Sequence, residues 1–262
     1  MNDEQAAAGP GPVLTSQHGA TLLITINRPQ ARNAIDLATA EALARAMEEL
    51  DSRADLAAGV LAGAGPVFCA GMDLKAFLRG ERPSVGDRGF AGLVGRPPAK
   101  PLVAAVEGPA LAGGFEIVLA CDLVVAAQTA TFGLPEVKRG LVAAGGGLLR
   151  LQHRVPFNLA VEWALTGAVI DAATAHQVHL VNRLVPPGTA VDTALELAAS
   201  IAANAPLAVR ASKQILHESR DWPWPDAFTR QAPIAEAVRG SADAREGALA
   251  FTEKRSPVWQ GK

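Results

Sequence analysis

Short apolar runs alternate with amphipathic stretches along the first half of the chain. Residues 13–27 form two short alternating pieces around a His-Gly turn, and Thr21–Ile26 is rich in β-branched residues, so we expect an opening hairpin. Residues 37–50 carry helix formers with apolar positions at three- and four-residue spacing, and 59–63 is the next strand-like run. This β-α-β order favours parallel strands in a layered α/β core.

The alternation then continues with one interruption. Residues 78–100 mix Gly, Pro and charged residues and predict a long flexible insertion, either a lid or a tolerated loop. Around it we expect strands at 66–70, 102–106 and 122–126, a short helix at 72–78 and a helix from Gly114.

From Gly145 onward the pattern is mostly helical. A helical end of this kind covers the core or packs on a neighbouring subunit. One strand is expected at 180–185, and helices are expected at 148–153, 158–165, 172–177, 190–203, 207–219, 225–238 and 242–251.

Composition narrows the classes of function. The 262 residues are 49% hydrophobic, and 24 basic residues nearly balance 26 acidic ones, which argues against a nucleic-acid or membrane-surface binder. Cys69 and Cys121 lie far apart in apolar stretches, as expected in a reduced compartment. Residues 1–8 are acidic and lack the features of a signal peptide, and no apolar stretch reaches the roughly 18 residues of a spanning helix. We therefore expect a cytoplasmic protein.

Candidate chemistry centres on a glycine turn. Gly113 and Gly114 follow the apolar strand 101–106 and open a run with Glu116 in its first helical turn, and Glu136 follows in a loop. A glycine turn at a helix start offers free N–H groups to a developing negative charge, and paired carboxylates move protons beside it. The combination suits carbonyl or enolate chemistry.

Each of these residues also has a simpler interpretation. Glu116 could be a favourable partner of the helix dipole, and Glu136 could be a solvated surface residue. The histidines form no metal spacing beyond His176 and His179, three residues apart, so no metal site is expected. Gly145–Gly147 lacks the pattern of a dinucleotide or P-loop site. A peptidase of the same broad fold would need a Ser-His arrangement where the glutamates stand, and no such nucleophile elbow occurs.

Four separated stretches together resemble the crotonase, or enoyl-CoA hydratase and isomerase, superfamily, and their order covers nearly the whole chain. They are Asn27–Ala34, Phe68–Lys75, Gly108–Glu116 and Phe132–Glu136, and the tail from Glu246 to Trp259 is also similar. The resemblance implies a crotonase-like (ClpP/crotonase) spiral of β-β-α units over residues 1–200. It also implies a C-terminal α-helical oligomerisation region over 201–262, which forms a homotrimer or a dimer of trimers.

The resemblance also assigns roles to residues of the site. The backbone N–H groups of Met72 and Gly113 would form the oxyanion hole for a thioester oxygen, with Glu116 and Glu136 as the catalytic pair. Substrate and coenzyme A would contact Arg28, Ala31, Ala70, Asp73, Leu74 and Lys75, with Phe251 and Lys254 reaching in from a neighbouring subunit. Lys75 could equally be a solvated residue, and Phe251 and Lys254 a helix end with its charge cap.

Two positions depart from the family pattern. Gln30 stands where many members carry a basic residue, and Ala143 stands where a loop beside the acyl pocket usually carries proline. These departures leave phosphate contacts and substrate choice open.

The resemblance implies a hydro-lyase of the enoyl-CoA hydratase type that acts on acyl-CoA thioesters in fatty acid metabolism, because both glutamates are retained. No cofactor or metal is expected beyond the coenzyme A of the substrate. The alternatives are a dehydratase of a substituted acyl-CoA, similar to carnitinyl-CoA dehydratases, then an enoyl-CoA isomerase, then a CoA-binding protein with little turnover.

Overall fold

The computed structural model describes residues 11–262. The first ten residues, and with them the acidic segment 1–8, lie outside the described residues. A six-stranded sheet forms the centre of the fold. In the order in which they lie side by side, its strands are β1 (Val13–His18), β2 (Thr21–Ile26), β3 (Ala58–Gly63), β6 (Leu102–Val106), β8 (Leu123–Ala127) and β11 (Arg183–Val185). All neighbouring pairs except β1 and β2 run parallel.

The opening hairpin and the parallel core are confirmed. β1 pairs with β2 in register from Val13 opposite Ile26 to His18 opposite Thr21, and Gly19 at φ +58° makes the turn. α1 (Leu37–Ser52) is capped at its N-terminus by Asp36, whose side chain accepts from the N–H of Thr39 at 2.9 Å. The central strands are buried on both faces, as parallel strands covered by helices must be.

Two cores lie on opposite faces of the sheet. α1 and α3 (Gly113–Ala120) cover one face, and α7 (Ala190–Ala202) covers the other. Ala190, Ala194 and Ala198 are fully buried at four-residue spacing on α7, where they meet Val60 and Val103 of the sheet. Because these three side chains are small, the helix packs closely against the sheet.

A second, smaller sheet forms one border of the functional site. It has the order β10-β9-β7, formed by β7 (Ala110–Leu111), β9 (Thr131–Gly133) and β10 (Val169–Asp171). Phe132 of β9 packs on Phe115 of α3 with ring centroids 5.5 Å apart. These strands of two or three residues are too short to produce a periodic signal, and the sequence did not predict them.

The predicted strand at residues 66–70 is wrong. The segment contributes a single bridge between Cys69 and Ala110. The side-chain amide of Asn33 bonds the carbonyls of Ala64 and Val67 at 2.9 and 2.6 Å, and the N–H of Ala70 bonds the carbonyl of Arg32. These loop contacts take the hydrogen bonds that a neighbouring strand would have used.

The insertion at 78–100 is a packed part of the fold and not a free loop. After α2 (Leu74–Leu78), it forms a hairpin of β4 (Ser84–Val85) and β5 (Gly89–Phe90). Leu93 is fully buried, and the buried guanidinium of Arg88 bonds Glu48 of α1 at 2.6 and 2.8 Å. The Gly and Pro residues that suggested flexibility shape turns in a compact segment.

Helices dominate the second half, as predicted. The remaining ones are α4 (Gly147–Leu151), α5 (Phe157–Thr166), α6 (Ala172–Gln177), α8 (Pro206–Glu218), α9 (Trp224–Arg239) and α10 (Ala242–Glu253). The expected boundary between residues 200 and 201 falls inside α7, which packs on the sheet. No residue of α8 or α9 is buried within the described chain. No helix within residues 11–262 combines the length and apolar character needed to cross a membrane.

One polar cluster attaches α8 to the core. The Nζ of Lys213 bonds Oδ2 of Asp122 at 2.7 Å, and His217 bonds Oδ1 of the same carboxylate at 2.9 Å. Lys213 also donates to the carbonyls of Pro98 and Lys100. Asp122 lies two residues after the end of α3, so this cluster holds α8 at the end of the helix that begins in the site.

Candidate active site

The N-terminus of α3 meets a second glycine turn. Ala112 precedes the helix with φ 52° and ψ −128°, a rare backbone conformation for a residue with a side chain, and its N–H donates to the carbonyl of Gly133 at 2.9 Å. Gly71 has φ +95°, and a Cβ built there would lie 2.9 Å from both the Cβ of Ala112 and the backbone N of Gly113. The two turns therefore abut, and Gly71 requires glycine for both its conformation and its space.

This contact brings two backbone donors to one cavity. Met72 and Gly113 both line a cavity of about 1140 Å³, and within residues 11–262 neither of their N–H groups has an acceptor. Gly113 is the first residue of α3, where helical N–H groups lack internal partners. Two free donors from separate turns can meet a single ligand oxygen.

Glu116 lies in the same cavity wall, one turn into α3. Its side chain is buried, and its Oε1 accepts from the N–H of Gly147 at 2.9 Å. Burial raises the pKa of Glu116, while the N–H groups of Gly147 and Gly145 and the charge of Arg150 act in the opposite direction. The carboxyl is thus held in a fixed place with a raised proton affinity.

Glu136 faces the cavity from a 3-10 helix, Pro135–Arg139. Its Oε2 is buried and has no hydrogen-bond partner among the residues that the structure describes. Burial raises the pKa of Glu136, and the negative charge of Glu116 raises it further. A buried carboxyl oxygen without a protein partner is poised for a water or a substrate atom.

The arrangement can stabilise an oxyanion and move protons beside it. Two carboxyl groups with raised pKa values line the same cavity as the donors of Met72 and Gly113. General acid-base catalysis is most efficient when the pKa of the group lies near the working pH. The four residues that the sequence singled out for the reaction therefore share one cavity.

Only some of the residues proposed to contact coenzyme A line the cavity. Ala70 and Leu74 line the cavity beside Met72, whereas the other proposed contacts do not border it. Asp73 caps α2 and pairs with Arg28 at 3.1 Å, and Arg28 also pairs with Asp36 at 2.9 Å. The two carboxylates neutralise Arg28.

The remaining contact candidates are Ala31, Lys75, Phe251 and Lys254. Ala31 ends a 3-10 helix, and Lys75 is exposed on α2. Phe251 is 85% exposed near the end of α10, and Lys254 forms the left-handed C-cap of that helix. The predicted contacts of Phe251 and Lys254 in a neighbouring subunit stay predictions.

Sequence reasoning missed several residues of the cavity. Phe90 comes from the insertion and packs over Gly113, where a Cβ would lie 2.5 Å from its ring. Arg32, Arg150 and Arg220 also line the cavity. The three consecutive glycines at 145–147 were the sequence signal that could have drawn attention to Arg150, because glycines in a row mark a place where the backbone comes close to other atoms. Residues 11–262 contain no group of three or more His, Cys, Asp or Glu that could hold a metal ion.

Comparisons with known proteins identify the family of the chain. Residues 16–262 match the family model described as enoyl-CoA hydratase/isomerase. The chain is 43% identical to the enoyl-CoA hydratase EchA19 of Mycobacterium tuberculosis over 96% of this chain and 98% of that protein. It is 41% identical to a carnitinyl-CoA dehydratase of Salmonella arizonae over 94% of this chain and 97% of that protein.

A solved structure gives the same result. The crystal structure of an enoyl-CoA hydratase from Mycobacterium tuberculosis H37Rv superposes with a TM-score of 0.95 at 55% identity, over 97% of this chain and all of that one. The predicted crotonase-like fold is confirmed. The chain belongs to the enoyl-CoA hydratase/isomerase family.

Proposed function

We propose that this protein adds water reversibly to the double bond of a 2-enoyl-CoA thioester, as a hydro-lyase of the crotonase type. One observation carries the proposal: the N–H groups of Met72 and Gly113, which have no acceptor among residues 11–262, share a cavity with the carboxyl groups of Glu116 and Glu136. An oxyanion site alone would suit many acyl-transfer reactions. The addition of two proton-transfer groups specifies the gain or loss of water.

The proposed steps use groups that line the cavity. The thioester oxygen accepts from Met72 and Gly113, which stabilise the enolate that forms when the β-carbon is attacked. Glu116 takes a proton from the attacking water, whose oxygen bonds the β-carbon. Glu136 gives a proton to the α-carbon, so the double bond is lost and one water is gained. Dehydration reverses each transfer. Neither step uses a metal or a redox group.

A dehydratase of a substituted acyl-CoA is the second candidate. The relative from Salmonella arizonae carries the name carnitinyl-CoA dehydratase, and it is nearly as similar as the hydratase from Mycobacterium tuberculosis. The same four groups serve both directions, so the choice depends on which acyl group the cavity accepts.

The assembly and the coenzyme A contacts belong to the proposal as well. A homo-oligomer, as a trimer or a dimer of trimers, is supported by the apolar surface of the C-terminal helices, where Trp224 and Phe228 are 77% and 69% exposed. In such an assembly Phe251 and Lys254 would reach the coenzyme A of a neighbouring subunit, while Arg28, Ala31, Asp73 and Lys75 would border it within the subunit. Cytoplasmic location and a role in fatty acid metabolism stay predictions.

The test is product analysis with a small panel of substrates. The purified protein is incubated with 2-enoyl-CoA, 3-enoyl-CoA and carnitinyl-CoA, and products are identified by mass spectrometry. Hydration of the 2-enoyl-CoA is expected, with no turnover in the Glu116→Ala variant. Conversion of the 3-enoyl-CoA alone would support an isomerase and contradict the proposal. Binding of all thioesters without turnover would support a CoA-binding protein.

A further inference from the structure

Arg150 and Glu116 both pack against one glycine loop, residues 145–147. The outer two glycines touch Glu116, because a Cβ on Gly145 would lie 2.6 Å from its Oε2 and a Cβ on Gly147 would lie 3.0 Å from its Oε1. The middle glycine, Gly146, touches Arg150, and a Cβ there would collide with Nη1 of the guanidinium. Each glycine therefore leaves space that one of these two side chains occupies.

A second contact fixes the guanidinium in this position. Nη2 of Arg150 donates to the carbonyl of Val94 at 2.5 Å. Val94 is buried in the packed insertion, where its N–H bonds the carbonyl of Phe90 at 3.2 Å. Arg150 therefore joins the insertion to the loop whose Gly147 N–H bonds Glu116.

The charge of Arg150 is not neutralised by a direct ion pair. Within residues 11–262 no carboxylate oxygen lies within 4.0 Å of its guanidinium. Burial lowers the pKa of Arg150, and the negative charge of Glu116 is the first of the charges that raise it. Burial raises the pKa of Glu116, and the N–H groups of Gly147 and Gly145 and then the charge of Arg150 lower it. The two side chains are therefore electrostatically coupled.

Other titratable groups are coupled to one member of this pair, namely Glu136, Cys121, Arg154 and Arg220. Cys121 is neutral, because burial raises the pKa of its thiol to about 12. Glu136 is the second carboxyl group of the cavity, and the charge of Glu116 raises its pKa. Neither Arg154 nor Arg220 is among the charges that act on Glu116. Within the described part of the chain, Arg150 is therefore the cation that acts on this carboxylate.

We propose that Arg150 is a positioning residue for Glu116: its guanidinium supports the glycine loop that bonds the carboxylate and keeps a positive charge coupled to it. The inference rests on the proposed hydration, in which Glu116 must be ionised to take a proton from water. Misplacement of a reacting group by about 1 Å can cost about a hundredfold in rate, so support of the loop from the insertion matters. The positive charge favours the ionised form of the base.

The experiment compares Arg150→Gln with Arg150→Lys, which keeps the charge. The pH dependence of kcat and the KM are measured for hydration of crotonyl-CoA. Arg150→Gln is expected to lower kcat at neutral pH about tenfold to a hundredfold with little change in KM, and to move the acidic limb of the profile to higher pH. The direction follows because loss of the cation raises the pKa of Glu116, so more of the base is protonated at a given pH. Arg150→Lys should return the acidic limb toward its wild-type position.

Arg154→Gln is the matched control. Arg154 is also a partly buried arginine that donates to backbone carbonyls, those of Leu119, Cys121 and Asp122, but it does not line the cavity. This variant should lose stability and keep both its kcat and its pH profile. An equal loss of kcat in the Arg150 and Arg154 variants, with the acidic limb unmoved, would leave Arg150 only a structural role and overturn the inference. A rise in KM at unchanged kcat would overturn it too, because Arg150 would then contact the substrate.

A measurement without turnover separates this inference from the proposed function. The carboxyl group of Glu116 is titrated by NMR in protein with isotope-labelled glutamate side chains, and Glu116→Gln identifies its signal. The pKa of Glu116 should be higher in Arg150→Gln than in the wild type. An unchanged pKa would overturn the inference even where hydration is observed. If the wild type hydrates no thioester, the proposed function fails, and the titration still decides whether Arg150 acts on Glu116.

Discussion

The Glu116 carboxylate and the Gly147 N–H, 31 residues apart in the chain, form a hydrogen bond of 2.9 Å. The flanking glycines fit closely around the same side chain, because a Cβ on Gly145 would lie 2.6 Å from Oε2 of Glu116. The loop before α4 is thus a cradle for the carboxylate, and its glycines set where the proposed base stands.

The close fit of this loop around Glu116 predicts that adding a single methyl group at Gly145 lowers the hydration rate. Gly145→Ala should displace the Glu116 carboxylate and lower kcat for hydration about a hundredfold, because a positioned base contributes at least this much. The protein should stay folded, since Gly145 does not have a positive φ. Gly240→Ala is the control, because its Cβ would meet no atom closer than 3.6 Å. Equal rates for the two variants would contradict the proposed role of the cradle.

The contact between Gly71 and Gly113 predicts a second rate effect. Gly71→Ala should push the backbone N of Gly113 out of place and lower kcat about a hundredfold to a thousandfold, the usual result of losing one oxyanion donor. Gly80→Ala is matched to it, because Gly80 also has a positive φ, +87°, but stands in open space. The control should lose stability similarly and keep its kcat. A comparable loss of kcat in both variants would assign the effect to backbone strain.

The environment of Glu136 predicts a pH-dependent change in stability. Its pKa is raised above the ordinary value of 4.5 by burial and then by the charge of Glu116. Stability from the protonated form is therefore complete below 4.5 and is lost as the pH rises through the folded-state pKa. Glu136→Gln avoids this loss, so its Tm should exceed that of the wild type near pH 8. The expected gain is about 2–4 °C for each kcal/mol by which the free energy of unfolding of the variant exceeds that of the wild type.

The difference should vanish near pH 4, where the wild-type carboxyl is protonated in both states. Glu196→Gln, an exposed position on α7, should change the Tm at neither pH. A gain for Glu136→Gln that is the same at both pH values would contradict the raised pKa.

The cluster that holds α8 predicts the opposite pH dependence. Burial opposes ionisation of Asp122, but the hydrogen bond from His217 and the charge of Lys213 outweigh it and lower its pKa below the ordinary 3.8. Asp122→Asn should cost roughly 3 kcal/mol at neutral pH, because it leaves Lys213 largely buried without its counter-charge. The measurement is urea unfolding.

The cost should shrink as the pH falls through the folded-state pKa, since the wild-type carboxylate is then protonated too. His217→Gln keeps the Lys213 pair and should cost less than Asp122→Asn. A larger cost for His217→Gln would mean that the ion pair with Lys213 is not the main attachment of α8.

Long periodic elements could be predicted from the sequence, and short ones could not. α1 and α6 were predicted almost to their observed bounds, because apolar spacing and capping residues act locally. β7, β9 and β10 have two or three residues each and exist through pairing with distant segments. The failed strand at 66–70 has apolar residues, but the side-chain amide of Asn33 bonds the carbonyl of Val67 within it and that of Ala64 just before it.

The site was predictable where family motifs carry it. Met72, Gly113, Glu116 and Glu136 follow from glycine turns and a resemblance across the chain, and the structure brings them to one cavity. Phe90, Arg150 and Arg220 were not predicted. The three glycines before Arg150 mark a close backbone approach, but nothing in the sequence says that the insertion, α4 and the 3-10 helix Ser219–Asp221 line one cavity. Substrate selection depends on such tertiary contacts between segments that are distant in the sequence.

The central claim is that Glu136 exchanges a proton with the α-carbon of a thioester held by Met72 and Gly113. The most direct test is the hydration rate of crotonyl-CoA, measured side by side for the wild type and Glu136→Gln. We expect a loss of about a hundredfold to ten-thousandfold in kcat, as for removal of a general acid or base. Hydration by Glu136→Gln at the wild-type rate would contradict the account.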